Sequence, residues 1–578
     1  MSVEAPIDAR VLELRSPDTV LRPEDLAGAR ATRHSFARSV IRRASADGWD
    51  IALGRVDLDG EGRGVVVFDV LAGAHRWSFV AFSKTIADAD REDRVVAASW
   101  DVTAALVEGG VDDEDVERLR PQVTRQEQGR ADERTIIWTR ANRSGRFFDQ
   151  VVDRLARGQQ PDPHMFGLSP YLLRSTAFYS NGKFGLADFE RFADDHPFAV
   201  PYRAHMLSAW LLRELGYLLV ETCAIARTPD AARLTGKWRR YFGLGNATGL
   251  GMVPYVVNHP EVLDAWMRLR ELPLAAVVAR TAEPGSPDVR RVRELLDRAA
   301  TFLHEQGLEQ PTPYTSGAEL AARLSPLTQL VDEYDEHGTM RGQPTNYPWR
   351  LLHDVAAQVD AEVRGVVASV LIELTEDLDS WVEGLLRCRE SRTVRARARV
   401  RDLLELIYER YDWLADFDFT DPQQSEKFWF SSANNEEPRR ALAGVDPGER
   451  VQHAIDVARA ISALREELAG TEPTMSIGEF LLGNPRHRGA VMRIQAVAEL
   501  DYAELRANLL ASDFMPLHVQ RLQLAVYGMD NFNPQSTDWL RVTLFSGAPR
   551  IDDLARGTAD DDWCFTPRPT ADSGRTTR

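Results

Sequence analysis

The chain has 578 residues, 44% hydrophobic and 27% charged, so it is long enough for more than one core and ordinary enough in composition to fold. Acidic residues outnumber basic ones 88 to 70, a net charge of −18 that argues against the basic face needed to bind nucleic acid or an anionic membrane surface. Cys223, Cys388 and Cys564 lie too far apart for a thiolate zinc motif or a disulfide framework, and the N-terminus has no signal-like apolar core, so the expectation is a cytoplasmic protein.

A helix is expected from Pro23 to about Ala46, with Phe36, Val40, Ile41 and Ala44 at helical spacing. Four β-branched or aromatic runs follow, at 49–58, 64–71, 75–83 and 95–101. Their short connections favour an antiparallel meander, since a parallel crossover needs about a dozen residues or more. An acidic helix near 113–120 and the strand TIIWT (135–139) complete a small α+β domain over residues 1–160.

Beyond it helical spacing dominates. Residues 161–555 read as a helical domain carrying long ordered loops, and 556–578 as a disordered tail. The apolar stretch from Met206 to Ala226 contains Arg213, Glu214 and Glu221, which marks a buried helix and not a membrane span. Helices are also expected over 286–306, 317–335, 394–415, 450–468 and 485–511. The longest expected helix, 349–387, steps from Leu352 through Val363 and Leu374 to Leu385. Unbroken, it would run roughly 55–60 Å and offer a face for a homodimer. The fold class is therefore an α+β N-terminal unit with an antiparallel sheet, followed by a large, mostly α-helical body.

Four irregular stretches, 159–200, 237–260, 337–348 and 416–440, interrupt the helices, and ordered loops on a rigid frame are where sites are built. In 169–189, Tyr179 and Lys183 could transfer protons while Arg174 and Asn181 hold a carboxylate; the plainer reading is a helix ending at Ser180 and a turn. In 236–260, Lys237 and Arg239 precede a glycine-rich run containing Asn246. That combination suits phosphate or carboxylate, against the plainer reading of close packing over small residues. No buried strand precedes these glycines, so a dinucleotide fold is rejected. In 425–440, Lys427 and Glu437 supply acid/base groups and Asn434, Asn435 and Arg439 ligand contacts, or else the segment is a solvated turn.

Only Lys84, Lys183, Lys237 and Lys427 are lysines among the 70 basic residues. In so arginine-biased a chain a retained amine is either chance or a place that needs a compact, titratable cation. Glu333 and His337, and likewise Glu449 and His453, stand four apart, but two ligands do not make a site; no metal and no cofactor are expected. The preferred function is a soluble enzyme acting on a small anionic metabolite by acid/base chemistry. The alternatives are a scaffold that uses the long helix and aromatic loops, and a redox enzyme with a cofactor among the helices.

Overall fold

The computed structural model describes residues 12–87, 89, 99–124, 134–166, 170–179, 192–249, 260–306, 315–387, 393–421, 454–505, 516–534, 539–559 and 562–569. Helices α1 (Pro17–Val20), α2 (Pro23–Ala27) and α3 (Phe36–Ala46) precede strands β1 (Asp50–Leu58), β2 (Gly64–Ala72), β3 (His75–Ser83) and β4 (Val102–Glu108). Then come α4 (Asp113–Thr124), β5 (Thr135–Arg143), α5 (Arg146–Ala156), β6 (Tyr171–Tyr179), α6 (Arg203–Arg227), α7 (Gly236–Tyr241) and β7 (Gly243–Gly249). Helices α8 (Pro260–Val278), α9 (Pro287–Gln306) and α10 (Gly317–His337) lead to the two-residue strands β8 (Thr339–Met340) and β9 (Gln343–Pro344). Next are α11 (Pro348–Val359), α12 (Ala361–Ile372), α13 (Asp379–Leu386), α14 (Val400–Arg410), α15 (Ala454–Ala469), α16 (Ile477–Gly483), α17 (Arg488–Val497) and α18 (Pro516–Tyr527). Strands β10 (Met529–Pro534) and β11 (Trp539–Leu544) and helix α19 (Ile551–Ala555) close the order.

Two compact units are each assembled from three stretches of chain. The sheet unit comprises Arg30–Thr248, Glu283–Gly342 and Ala525–Arg578; the helical unit comprises Met1–Ala29, Gly249–Ala282 and Gln343–Leu524.

The sheet unit is built on nine strands in the order β1-β2-β3-β4-β5-β6-β7-β11-β10. Strands β1 to β6 pair antiparallel in succession, as short connections dictate, and Gly73 at φ +61 turns the chain from β2 into β3. The fourth strand lies at 102–108, just after the aromatic run that was expected to form it. VTAALVE shows no alternation because all but its last residue are buried, which removes the period-two signal.

The sheet is larger than the expected N-terminal one, and the chain after residue 160 is not wholly helical. β6 pairs with β7 in parallel, Arg174 beside Gly245 and Ser175 beside Asn246, and β11 and β10 extend the sheet further. A parallel pair needs a crossover, which α6 and α7 supply. Segment 171–179 is thus a strand, neither loop nor helix end. The glycine-rich run is a strand as well, because two of its glycines admit close neighbours. A Cβ on Gly243 would meet the Leu544 carbonyl oxygen at 2.4 Å, and one on Gly245 would meet the Tyr171 ring at 2.5 Å. Helix α6 is buried along most of its length, with Arg213, Glu214 and Glu221 included. No helix among the described residues is long and apolar enough to cross a membrane.

In the helical unit α8 packs against α11, α12, α13 and α17. A further core joins Leu403 and Ile407 of α14 to Leu464 of α15, Phe480 of α16 and Val491 of α17. The expected helix over 349–387 is three helices. Asp360 adopts extended backbone (φ −169, ψ 172) and its carboxylate accepts the Val363 N–H at 2.7 Å, so it caps α12 and ends α11. An Asx cap competes locally with helix continuation, and the apolar periodicity on either side conceals the break. The single long helix that was expected to offer a dimer face is therefore not formed. The expected helix over 23–46 is likewise broken, into α2 and α3.

Glycines set one helix contact closely. A Cβ on Gly365 of α12 would fall 1.8 Å from the carbonyl oxygen of Gly28, which caps α2. Gly365→Ala would gain helix propensity but must push α2 away, so it should lower stability by about 1–3 kcal/mol. A urea titration should show a reduced midpoint at unchanged m value; an unchanged midpoint would refute this contact.

Candidate functional site

Of the residues expected to bind a ligand or transfer protons, four have side chains that can be placed, all in the sheet unit. Arg174 is buried on β6, in register with Asn142 of β5 and Gly245 of β7. Asn246 on β7 donates from Nδ2 to the Ser175 carbonyl oxygen at 3.2 Å and to its hydroxyl at 3.0 Å, so its amide ties β7 to β6. Arg239 on α7 donates to Glu221 of α6 at 2.7 Å. Lys237 on the same helix is exposed, and so is Lys84. The backbone of Tyr179 ends β6 opposite Trp138. Asn181, Lys183, Lys427, Asn434, Asn435, Glu437 and Arg439 lie outside the described residues.

Around α7 these placements expose a charged core that the sequence did not reveal. Arg213 and Tyr217 of α6 hold the carbonyl oxygens of Arg239 and Phe242, and Glu221 accepts both Arg239 and the Leu234 N–H. Glu214 lies beside Arg213, with an oxygen 3.3 Å from its Nη1. Burial raises the Glu214 carboxyl to about 7 despite the nearby Arg213, Arg239 and Arg550. The Glu333–His337 pair is structural: Glu333 accepts Thr339 Oγ1 at 3.0 Å, the Gly342 N–H at 2.8 Å and the Arg341 N–H at 3.2 Å. It secures the turn after α10.

A pocket opens in the helical unit. Arg15, Asp25, Arg270, Glu271 and Arg364 line it with Val20, Met267, Ala361, Gly365 and Ala368; it is a shallow cleft open to solvent, with enclosed room for about one water molecule. Arg15 grips Glu271 bidentately, Nε at 2.8 Å and Nη2 at 2.6 Å, while its carbonyl oxygen accepts the Tyr502 hydroxyl at 2.8 Å. Asp25 contacts Arg364 and stands 3.9 Å from Arg15. Helix packing explains this meeting: the Gly28–Gly365 approach brings α2 onto α12, and with it Asp25 onto Arg364. The Nε atom of Arg364 is buried without a hydrogen-bond partner. Desolvation, with Arg15 and Arg22 close by, lowers Arg364 to about 10. The lining therefore holds three guanidiniums against two carboxylates.

No family model, curated protein or solved structure matches the chain. Function has to be argued from these side chains alone. Local motifs could not reveal the pocket, because Arg15 and Glu271 are 256 positions apart and Asp25 and Arg364 are 339 apart. One signal was present: Arg270 and Glu271 interrupt the apolar sequence of α8, and both are buried. Charges inside an apolar helix require partners.

The Glu214 environment gives a pH dependence with a definite sign. Its carboxyl titrates near 7 in the fold and near 4.5 in the unfolded chain, so the folded state binds the extra proton between those values. Stability should fall as pH rises from 4.5 to 7, by up to about 3 kcal/mol from this group, and level off above. Glu214→Gln should flatten that part of the stability–pH curve measured by chemical denaturation. Wild-type and variant curves of the same slope would refute the assignment.

Proposed function

We propose that the protein binds a small anionic metabolite, a carboxylate or phosphate, in the pocket between Arg15, Arg270 and Arg364. The observation that carries this reading is the cationic excess of the lining together with the buried, unpartnered Nε of Arg364. Guanidinium groups present donors in a planar fork that matches carboxylate and phosphate oxygens. A bound anion would return counter-charge to desolvated arginines. Asp25 and Glu271 are engaged by Arg364 and Arg15, so they shape the pocket and are poor candidates for a proton-transfer role.

Thermal unfolding of the full chain in acetate, malonate or inorganic phosphate tests this. A bound anion at about 100 times its Kd should add roughly 2.7 kcal/mol of stability, saturably. Arg270→Gln should weaken that response at least about tenfold in apparent Kd. No saturable shift with any of the three anions would overturn the reading.

Separately from the pocket, acid/base chemistry on a small anion is the activity we propose for the chain, and the support for it is the sequence pattern of Tyr179, Lys183, Lys427 and Glu437. With a turned-over anion in hand, Lys183→Arg and Lys427→Arg should each reduce kcat by about 10²–10⁴-fold at unchanged melting temperature. Full activity in both variants would remove these lysines from the chemistry.

A further inference from the structure

Residues 562–569 were expected to trail as part of a disordered tail, and they instead lie within the sheet unit against α9 and the turn after β11. Two guanidiniums of α9 grip Asp562: Arg291 donates at 3.0 and 2.7 Å, and Arg298 at 2.5 and 3.0 Å. Trp563, Cys564 and Phe565, which follow, are 2–3% exposed. The Trp563 ring stacks on Phe545 with centroids 5.9 Å apart and lies 5.6 Å from the Arg38 guanidinium, while Phe565 meets Phe302 edge-on at 5.7 Å. Beyond them the Thr566 hydroxyl reaches the Ser546 carbonyl at 3.3 Å, and Arg568 donates to the Glu305 carbonyl at 2.9 Å.

So short a segment has no core of its own. It is held as a peptide ligand is held, with a charged anchor at one end and two aromatic rings seated beyond it. The anchor is partly open to water, since the Asp562 side chain is 37% exposed and those of Arg291 and Arg298 are 29% and 24% exposed.

We propose that this segment is a detachable strap over a docking groove for a partner peptide of the same chemistry: an acidic residue followed at once by an aromatic-x-aromatic triplet. Charge complementarity specifies the acid, through Arg291 and Arg298. Phe302 and Phe545 receive the rings, and Arg38 offers its guanidinium face to an indole. The chain's own Asp562-Trp563-Cys564-Phe565 keeps the groove closed until a competing segment displaces it.

The Cys564 thiol reports the opening. In the full-length protein its rate of maleimide labelling, localised by peptide mass spectrometry, should rise at least about tenfold in Asp562→Asn, which loses charge-assisted bonds. It should also rise in wild type at about 1 M salt, where the Debye length is about 3 Å. Cys223, buried on α6, serves as the control for global unfolding and should keep its rate. If Asp562→Asn unfolds and Cys223 accelerates too, Arg298→Gln and the salt series carry the same test. A synthetic peptide of residues 561–569 with serine for cysteine should accelerate Cys564 labelling saturably, and the peptide lacking the Asp562 charge should not. Unchanged Cys564 rates in the folded variants and in salt would overturn the strap. Opening without any response to the peptide would overturn the groove.

Discussion

Arg213 stands in the middle of α6, 1% exposed, and its guanidinium donates to five carbonyl oxygens at 2.8–3.3 Å: those of Arg239, Arg240, Phe242, Ala548 and Pro549. Two of these end α7, one precedes β7, and two lie in the turn after β11. Trp210 and Tyr217, on the same face of α6, reach Pro549 and Phe242 as well. One buried cation thus fastens the crossover helix to the segments that bring β7 and β11 into the sheet. Burying a charge is costly unless its donors are all met, and removing this one would strand several carbonyls at once.

Buried arginine is the recurring device in both units. In the helical unit Arg493 forks onto Glu504 at 2.8 Å through both Nε and Nη2, and Tyr411 donates to the same carboxylate at 2.6 Å. This network is satisfied internally, and the neighbouring carboxylate and burial push the Tyr411 hydroxyl well above its ordinary value. The pocket differs, because its guanidiniums outnumber its carboxylates. In the first network the carboxylate meets its donors, whereas in the pocket the Arg364 Nε is left unmet. Of the scarce lysines, Lys84 and Lys237 are exposed.

Elements with strong periodicity were legible in the sequence. Strands β1, β2, β3 and β5 and helices α6, α9 and α10 fall within a few residues of their expected bounds, because the strands are β-branched or aromatic runs bounded by turns and the helices are long segments without proline at their apolar positions. Strands β6 and β7 were missed because residues 171–175 are buried without alternation and the glycines in β7 resemble a loop. β11 does alternate, with Leu540, Val542 and Leu544 buried, but lies far in sequence from the strand it joins. The break at Asp360 was hidden because periodicity measures which face is apolar, whereas a cap is a single side chain meeting a single N–H.

The candidate site follows the same division. The sequence by itself determined the acidic balance, the mixed content of helix and strand, the buried character of α6 and the expectation that arginines would hold an anion. It could not determine which arginines would line a pocket. Asp25 meets Arg364 because two glycines let α2 and α12 touch, and Asp562 finds Arg291 and Arg298 across 264 or more positions of chain. Local patterns report how each segment partitions between water and core. Only the folded chain decides which charges, once buried, must find each other, because that depends on contacts between segments with no sequence proximity.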